Sequence, residues 1–366
     1  MSSLVRLLPI ALLAVACTAP PADEPASSSE ANLGEGDTIP TGPLTLDATF
    51  ATGGTLALEG EGAAIALSRR ADGTIAVLRN RTVAETNDVV LTLVKADGSA
   101  SADVVLPGVE SLAKARVLPQ ADGLVVVGGG ARYYAARVGA DGALDPTFMP
   151  DPLDLTAADV ALDASGRIIV SGALAGGKAA VVRLTANGGI DTTFAEGTGA
   201  WIDATESPSA ASFLALSDGA ISFATVTDGT PAVLRLDADG ALDASFGDGG
   251  RVLLPKGAPA GLVAGAGGAL TYFGPTAESP DVHTFAIAKK GTFTAGAKVA
   301  GALLDPTSQV SAVSEDDTCI LHVSTATTEL TAAECAAGVP YVALGEGRRA
   351  IAVTTGGAVS VRVFGP

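Results

Sequence analysis

The chain has 366 residues and a net charge of −18, because 40 acidic residues outnumber 22 basic ones. Nucleic-acid binders carry a basic patch, so this charge argues against that class of protein and against a nucleic-acid partner. Two histidines and three cysteines leave little material for metal or thiol chemistry, whereas 45 glycines among small and branched apolar residues favour short strands joined by turns.

The first 17 residues read MSSLVRLLPIALLAVAC and resemble the signal of a bacterial lipoprotein. One positive charge, Arg6, precedes an apolar stretch that is too short to span a bilayer, which is typical of a secretory signal. The family usually has leucine where this chain has Ala14. The resemblance implies that residues 1–16 are removed and that Cys17 is then acylated. An ordinary signal peptide cut nearby is the alternative.

Residues 18–40 are dominated by Pro, Ser, Ala and acidic residues, with almost nothing to bury. This composition predicts a disordered tether. Residues 17–40 would therefore link the lipid to a folded region over 41–366. In the lipoprotein family, aspartate after the cysteine retains the protein in the inner membrane. Thr18 implies instead a lipid-anchored protein of the outer membrane, facing the periplasm or the cell surface.

A motif recurs three times at a period of roughly fifty residues. Each copy has an arginine, an aspartate eight residues later and a phenylalanine three residues after the aspartate. The copies are Arg137, Asp145 and Phe148; Arg183, Asp191 and Phe194; Arg235, Asp243 and Phe246. We expect the phenylalanines to pack between neighbouring repeats and each arginine to pair with an aspartate.

One further copy is split between distant parts of the sequence. Asp47 and Phe50 carry the tail of the motif without an arginine strand before them. Arg362 occupies the arginine position of a unit that lacks the tail. Joining the two parts completes one repeat, so we expect Phe364 to lie beside residues 43–47 and to close a ring.

The repeated residues resemble the delta-60 repeat, which occurs in tandem in secreted and surface bacterial proteins and is thought to form β-propeller blades. Seven hairpin signals support this fold, each a turn between two apolar-rich runs. Their turns lie near Gly73, Gly123, Gly166, Gly219, Gly268, Asp317 and Gly347. We therefore predict an all-β, seven-bladed propeller of four-stranded blades, with six or eight blades as alternatives.

Two cysteines, Cys319 and Cys335, would meet an oxidising compartment after export, where such pairs form disulfides. A hairpin centred on Thr327 would place them opposite each other. The alternative is two buried free thiols.

The sequence predicts a binding or scaffold module, not an enzyme. The delta-60 family supplies no catalytic residues, and no cofactor or metal motif is evident. The segment 237–243 faintly resembles a calcium loop, but Asp and Gly at these positions are typical of a turn. We expect a monomer that binds an unidentified protein or glycan. The alternatives are an enzyme with carboxylates in a central channel, a hydrolase or lyase, and a structural coat protein.

Overall fold

The computed structural model describes one almost entirely β-stranded region. It describes residues 42–121, 123–129, 133–203, 212–227, 229–255, 257–276, 279–299, 302–305, 310–315, 318–323, 326–331, 334, 339–345 and 347–365. The predicted signal peptide, Cys17 and the predicted tether lie outside these ranges. Among the described residues there is no helix with the length and apolar composition needed to cross a bilayer.

Most strands are short, and a turn of 3-10 helix, Ala266–Gly268, lies between two of them. In chain order the strands are β1 Gly42–Pro43, β2 Thr55–Arg69, β3 Ile75–Val83, β4 Thr86–Val94, β5 Val104–Leu106, β6 Lys114–Gln120, β7 Gly123–Gly129, β8 Tyr134–Gly139, β9 Leu155–Leu162, β10 Ile168–Leu174, β11 Ala179–Leu184, β12 Ala200–Ile202, β13 Ser212–Ser217, β14 Ala220–Thr227, β15 Thr230–Leu236, β16 Arg251–Leu253, β17 Gly261–Ala264, β18 Leu270–Pro275, β19 Val282–Ile287, β20 Phe293–Lys298, β21 Ala302–Asp305, β22 Val310–Glu315, β23 Thr318–Val323, β24 Ala326–Thr331, β25 Tyr341–Gly345, β26 Arg348–Thr355 and β27 Ala358–Phe364.

These strands form successive sheets along the chain, most of them antiparallel meanders. Three sheets have four strands each, in the orders β12-β11-β10-β9, β13-β14-β15-β16 and β17-β18-β19-β20. A fourth, β1-β24-β23-β22-β21, includes one parallel pair, β1 with β24. The largest has the order β25-β26-β27-β2-β3-β4-β5.

The remaining sheet, β6-β7-β8, departs from the expected four strands, because it has three among the described residues. Its missing outer strand has a local cause. β9 begins at Leu155, seven residues after Phe148, whereas β13 begins at Ser212, 18 residues after Phe194. The link between β8 and β9 is therefore too short to hold an outer strand of its own.

The predicted hairpins are confirmed, since each of the seven turn positions separates two paired antiparallel strands. The pairs are β2 with β3, β6 with β7, β9 with β10, β13 with β14, β17 with β18, β22 with β23, and β25 with β26. Asp317 itself lies outside the described residues, although Glu315 and Thr318 pair on either side of it. The sheets are therefore built around the sequence repeat.

The apolar core lies between neighbouring sheets. One cluster joins Ile169 and Val181 of the β9–β12 sheet to Leu214 and Phe223 of the next sheet. Inner strands such as β11 and β15 are buried on both faces, one for each neighbouring sheet, which explains their near-continuous apolar runs in the sequence. Stacked sheets that pack on both faces in this way define an all-β, propeller-like fold.

The two ends of the described chain meet, as the split repeat predicts. Leu46 forms a β-bridge with Phe364, and the backbone N–H of Asp47 donates to the carbonyl of Val363 at 2.9 Å. The long strand β2 continues this junction: Thr55–Ala57 and Glu61 pair with β27, whereas Glu61–Arg69 pair with β3, so Glu61 lies between both partners. The expected position of Phe364 beside residues 43–47 is confirmed.

The hairpin proposed for the two cysteines is wrong in register. Val323 pairs with Ala326 and His322 with Thr327, so Thr327 lies within a paired strand and is not the centre of the hairpin. Cys319 is fully buried and stands opposite Leu330, while Cys335 lies outside the described residues. β24 ends at Thr331, before Cys335, and the disulfide between the two cysteines stays a prediction.

Candidate functional site

The repeated motif forms the same local structure in all three copies. In the second copy, Arg183 Nε lies 2.7 Å from Asp191 Oδ2, and the guanidinium carbon lies 4.5 Å from the centroid of the Phe194 ring. The other two copies share this arrangement. The distance from Nε to the carboxylate is 2.8 Å both for Arg137 with Asp145 and for Arg235 with Asp243. The guanidinium carbon of Arg137 lies 5.2 Å from the centroid of the Phe148 ring, and that of Arg235 lies 4.3 Å from the centroid of the Phe246 ring.

The motif also connects one sheet to the next. Arg183 Nη1 donates to the carbonyl of Ala238 at 2.5 Å, and the N–H of Ala195 donates to the carbonyl of Asp239 at 2.7 Å. Gly240 has φ +89, and a Cβ there would lie 2.7 Å from the Phe194 ring. The contact between neighbouring sheets thus explains why the spacing of arginine, aspartate and phenylalanine repeats along the chain.

The segment that resembles a calcium loop is a turn. Asp237 Oδ1 accepts the backbone N–H groups of Asp239 and Ala241, at 3.0 and 2.9 Å. Its carboxylate therefore serves the backbone. The described part of the chain contains no group of three or more potential metal ligands.

The aspartates of the motif are held in their charged form by local donors. For Asp145, the Thr147 hydroxyl and backbone N–H donate to the carboxylate, and the Arg137 guanidinium adds to them, so the pKa falls to about 2. The Thr193 and Ser245 donors act in the same direction on the pKa values of Asp191 and Asp243.

The split copy at the ring closure departs from this pattern at its arginine. The N–H of each motif aspartate donates to the carbonyl of the motif arginine, and the N–H of Asp47 donates to Val363. Val363, not Arg362, therefore occupies the arginine position, which corrects the assignment made from the sequence. A shift of one residue in a strand moves a side chain to the opposite face. Arg362 accordingly pairs with the buried Glu334, at 2.5 Å.

Another arginine compensates for the charge that Val363 lacks. Arg348 Nη2 lies 2.8 Å from Asp47 Oδ2. The Thr49 hydroxyl and N–H lower the pKa of Asp47 most strongly, and Arg348 lowers it further. Phe50 is 1% exposed, and the N–H of Ala51 donates to the carbonyl of Asp97 at 3.0 Å, as Ala195 does to Asp239. The split copy thus has the motif's aspartate and phenylalanine, but its guanidinium comes from Arg348 instead of from the motif position.

A cavity of about 200 Å³ lies at this altered junction. Its lining includes Phe50, Arg69, Ile75, Ala96, Leu344 and Arg348. The side chain of Arg348 is 26% exposed, so the cavity lies close to solvent. This cavity, which we call the closure cavity, is our candidate functional site.

Arg69 is the unusual member of the closure cavity. Its side chain makes no hydrogen bond or ion pair with the residues that the structure describes, and its Nε is buried. Gly345 lies against its guanidinium: with φ +82, this glycine has no Cβ, and one placed there would lie 3.0 Å from Nη1. A buried donor without a partner lowers the stability of a folded protein, because its lost hydration is not replaced by a hydrogen bond. A ligand that accepts from Arg69 would supply that hydrogen bond.

Sequence reasoning did not find the closure cavity, although one signal was present. Arg69-Arg70 and Arg348-Arg349 are paired arginines in a chain with 22 basic residues, and each pair lies next to a predicted hairpin turn. Their meeting depends on the ring closing between the first and last units.

A second polar cluster, formed by Arg79, Arg81 and Asp103, has a structural role. Asp103 Oδ2 accepts from Arg79 and from Arg81, each at 2.8 Å, and Arg79 Nη1 donates to the carbonyl of Glu59 at 2.6 Å. Arg79 is 1% exposed, and burial lowers its pKa. These contacts anchor the segment of β2 that passes from one sheet partner to the other.

Comparison with known proteins supports the fold and leaves the activity open. Three segments, 120–148, 164–194 and 217–246, match the family model "Domain of unknown function (DUF5122) beta-propeller". Each matched segment contains one copy of the arginine, aspartate and phenylalanine motif. No curated protein matches the sequence at a significant level.

Two solved structures are similar to this chain. One is a protein from Lactobacillus plantarum solved by a structural genomics consortium, with 15% identity and a TM-score of 0.48 over 82% of this chain and 87% of that chain. The other is BBS1N in complex with ARL6DN, with 13% identity and a TM-score of 0.45 over 85% of this chain and 97% of that chain.

Proposed function

We propose that the protein is a lipid-anchored, seven-bladed β-propeller that acts as a binding module at the outer membrane, with the closure cavity as its recognition point. The observation that carries the binding role is Arg69, which has a buried donor and no partner among the described residues. A protein that served only as a coat would gain nothing from such a group.

A division of the largest sheet supports the proposed number of blades. β2 passes from β27 to β3 at Glu61, which pairs with both Ala358 and Thr82, and Gly60 just before it has φ +83. Its first part completes a blade with β25, β26 and β27, and its second part begins a blade with β3, β4 and β5. This division, added to the other five sheets, supports seven blades. The resemblance to the delta-60 repeat supports the same architecture.

The anchor rests on Cys17 and the apolar run before it. Replacement by serine, Cys17→Ser, should remove the acylation site, so the protein should leave the detergent phase in a phase-separation assay. The wild-type chain should partition into detergent. Equal partition of both proteins would refute the anchor and leave the binding role untouched.

The binding role is tested by affinity capture from cell-envelope extract with the immobilised full chain. A matched control is Arg251→Ala, because Arg251 is also partly buried and its side chain forms no ion pair with the described residues. We expect a component that is captured by the wild type and by Arg251→Ala and lost with Arg69→Ala. Equal capture by all three proteins would contradict recognition at the closure cavity.

A further inference from the structure

We propose that the closure cavity binds a carboxylate group of single negative charge, held by the guanidinium of Arg69. This inference rests on the proposed binding role and names the chemical class of its ligand. It follows from the charge of the cavity, the contacts of its lining residues and its size.

The charges in the closure cavity leave one positive charge to be matched. Arg348 is neutralised by Asp47, 2.8 Å away, whose pKa is lowered and which therefore stays ionised. Arg69 has no such partner among the described residues. A carboxylate of charge −1 balances this excess, whereas a phosphate carries more charge than the site offers. The five N–H donors of a guanidinium also match a carboxylate in a bidentate geometry.

A comparison with the second copy of the motif shows that the closure cavity lacks the motif arginine. In the second copy, the motif arginine Arg183 donates to the carbonyl of Ala238 in the neighbouring sheet. Ala96 occupies the corresponding turn position beside the closure cavity, but Val363 stands in place of the arginine. The shorter valine therefore leaves space where the other units place a guanidinium.

The size of the cavity limits what can enter it. Pockets for drug-sized ligands have volumes of roughly 300–1,000 Å³, and the closure cavity is smaller, at about 200 Å³. Phe50, Ile75 and Leu344 contribute apolar atoms to its lining beside the arginines. A single carboxylate with a short apolar stem fits both the volume and the lining.

The test measures acetate binding to the full chain in detergent. Binding is detected by saturation-transfer NMR of the acetate methyl group at constant ionic strength. Wild type and Arg251→Ala should bind acetate with the same affinity. Arg69→Ala should lose roughly tenfold or more, since hydrogen bonds to a charged group are lost. Inorganic phosphate should compete more weakly than acetate.

Acetate binding that is unchanged in Arg69→Ala would overturn the proposal, and so would stronger binding of phosphate than of acetate. Thermal unfolding shows whether Arg69→Ala is folded. If Arg69→Ala is not folded, acetate binding is measured instead with Arg69→Gln, which keeps a polar side chain without the charge. Unchanged binding in that variant would overturn the proposal.

Failure of this inference is distinguishable from failure of the proposed function. Capture of an envelope component that depends on Arg69, without any acetate binding, would reject the carboxylate and keep the binding module. Acetate binding without any captured component would keep the site and reject the module.

Discussion

Phe194 is the clearest test of the view that the repeated phenylalanines hold neighbouring blades together. Its side chain is 0% exposed and contacts apolar residues of two sheets, and the Arg183 guanidinium lies 4.5 Å from its ring. Phe194→Ala removes these contacts and leaves a cavity. Substitutions of this kind lower the free energy of unfolding by about 3–5 kcal/mol, and we expect a value in this range.

The sequence provides its own reporter for this experiment. Trp201 is the single tryptophan, and its ring lies 5.1 Å from Phe223, which belongs to the same apolar cluster as Phe194. Urea unfolding followed by tryptophan fluorescence therefore reads the affected interface directly. The matched control is Phe293→Ala, because Phe293 is 42% exposed.

The two variants should differ sharply. Phe293→Ala should change the free energy of unfolding by less than about 1 kcal/mol, as exposed positions do. If Phe194→Ala also costs less than about 1 kcal/mol, the phenylalanine does not join the blades and the reasoning is refuted.

Three further predictions concern the closure, the motif aspartates and the cysteines. Gly73 and Gly98 both have φ +84. A Cβ at Gly98 would lie 2.5 Å from a backbone nitrogen across the junction, whereas a Cβ at Gly73 would have no neighbouring atom within 4 Å. Gly73→Ala should lower the free energy of unfolding by about 1–2 kcal/mol and Gly98→Ala by clearly more; equal losses in urea unfolding would contradict the packed closure. The folded pKa of Asp145, about 2, lies below the ordinary 3.8, so its stabilisation is complete above the unfolded pKa and is lost as the pH falls towards 2. Asp145→Asn should therefore flatten the acid limb of a stability profile, and an unchanged limb would rule this out. For Cys319 and Cys335, thiol titration of the unfolded, unreduced chain should find no reactive group from this pair, and two would exclude a bridge.

The sequence was sufficient for the features that repeat. Glycine and aspartate turns between apolar runs predict the seven hairpins, because each hairpin depends on a few neighbouring residues. The motif spacing also predicts the pairing of Arg183 with Asp191, since both lie within one turn and strand. The split copy at Asp47 predicts the meeting of the two ends.

Register and long-range contacts were the features that sequence reasoning could not supply. Arg362 was placed one residue away from the true motif position, Val363, because nothing local distinguishes two adjacent positions in a strand without its pairing partner. The cysteine hairpin failed for the same reason. The closure cavity was out of reach because Arg69 and Arg348 come from opposite ends of the described chain and meet only after the ring has closed.

Closure of the ring by the split repeat is tested most directly by a disulfide between its two parts. The N–H of Gly365 donates to the carbonyl of Thr45 at 3.0 Å, and a Cβ on Gly365 would meet nothing nearer than 4.0 Å. The double variant Thr45→Cys with Gly365→Cys should form this disulfide under mild oxidation, as measured by mass spectrometry of the digested chain. A control that joins Thr45→Cys with Gly176→Cys, in a turn of another sheet, should not form it. No more crosslinking in the first variant than in the control would contradict the closed ring.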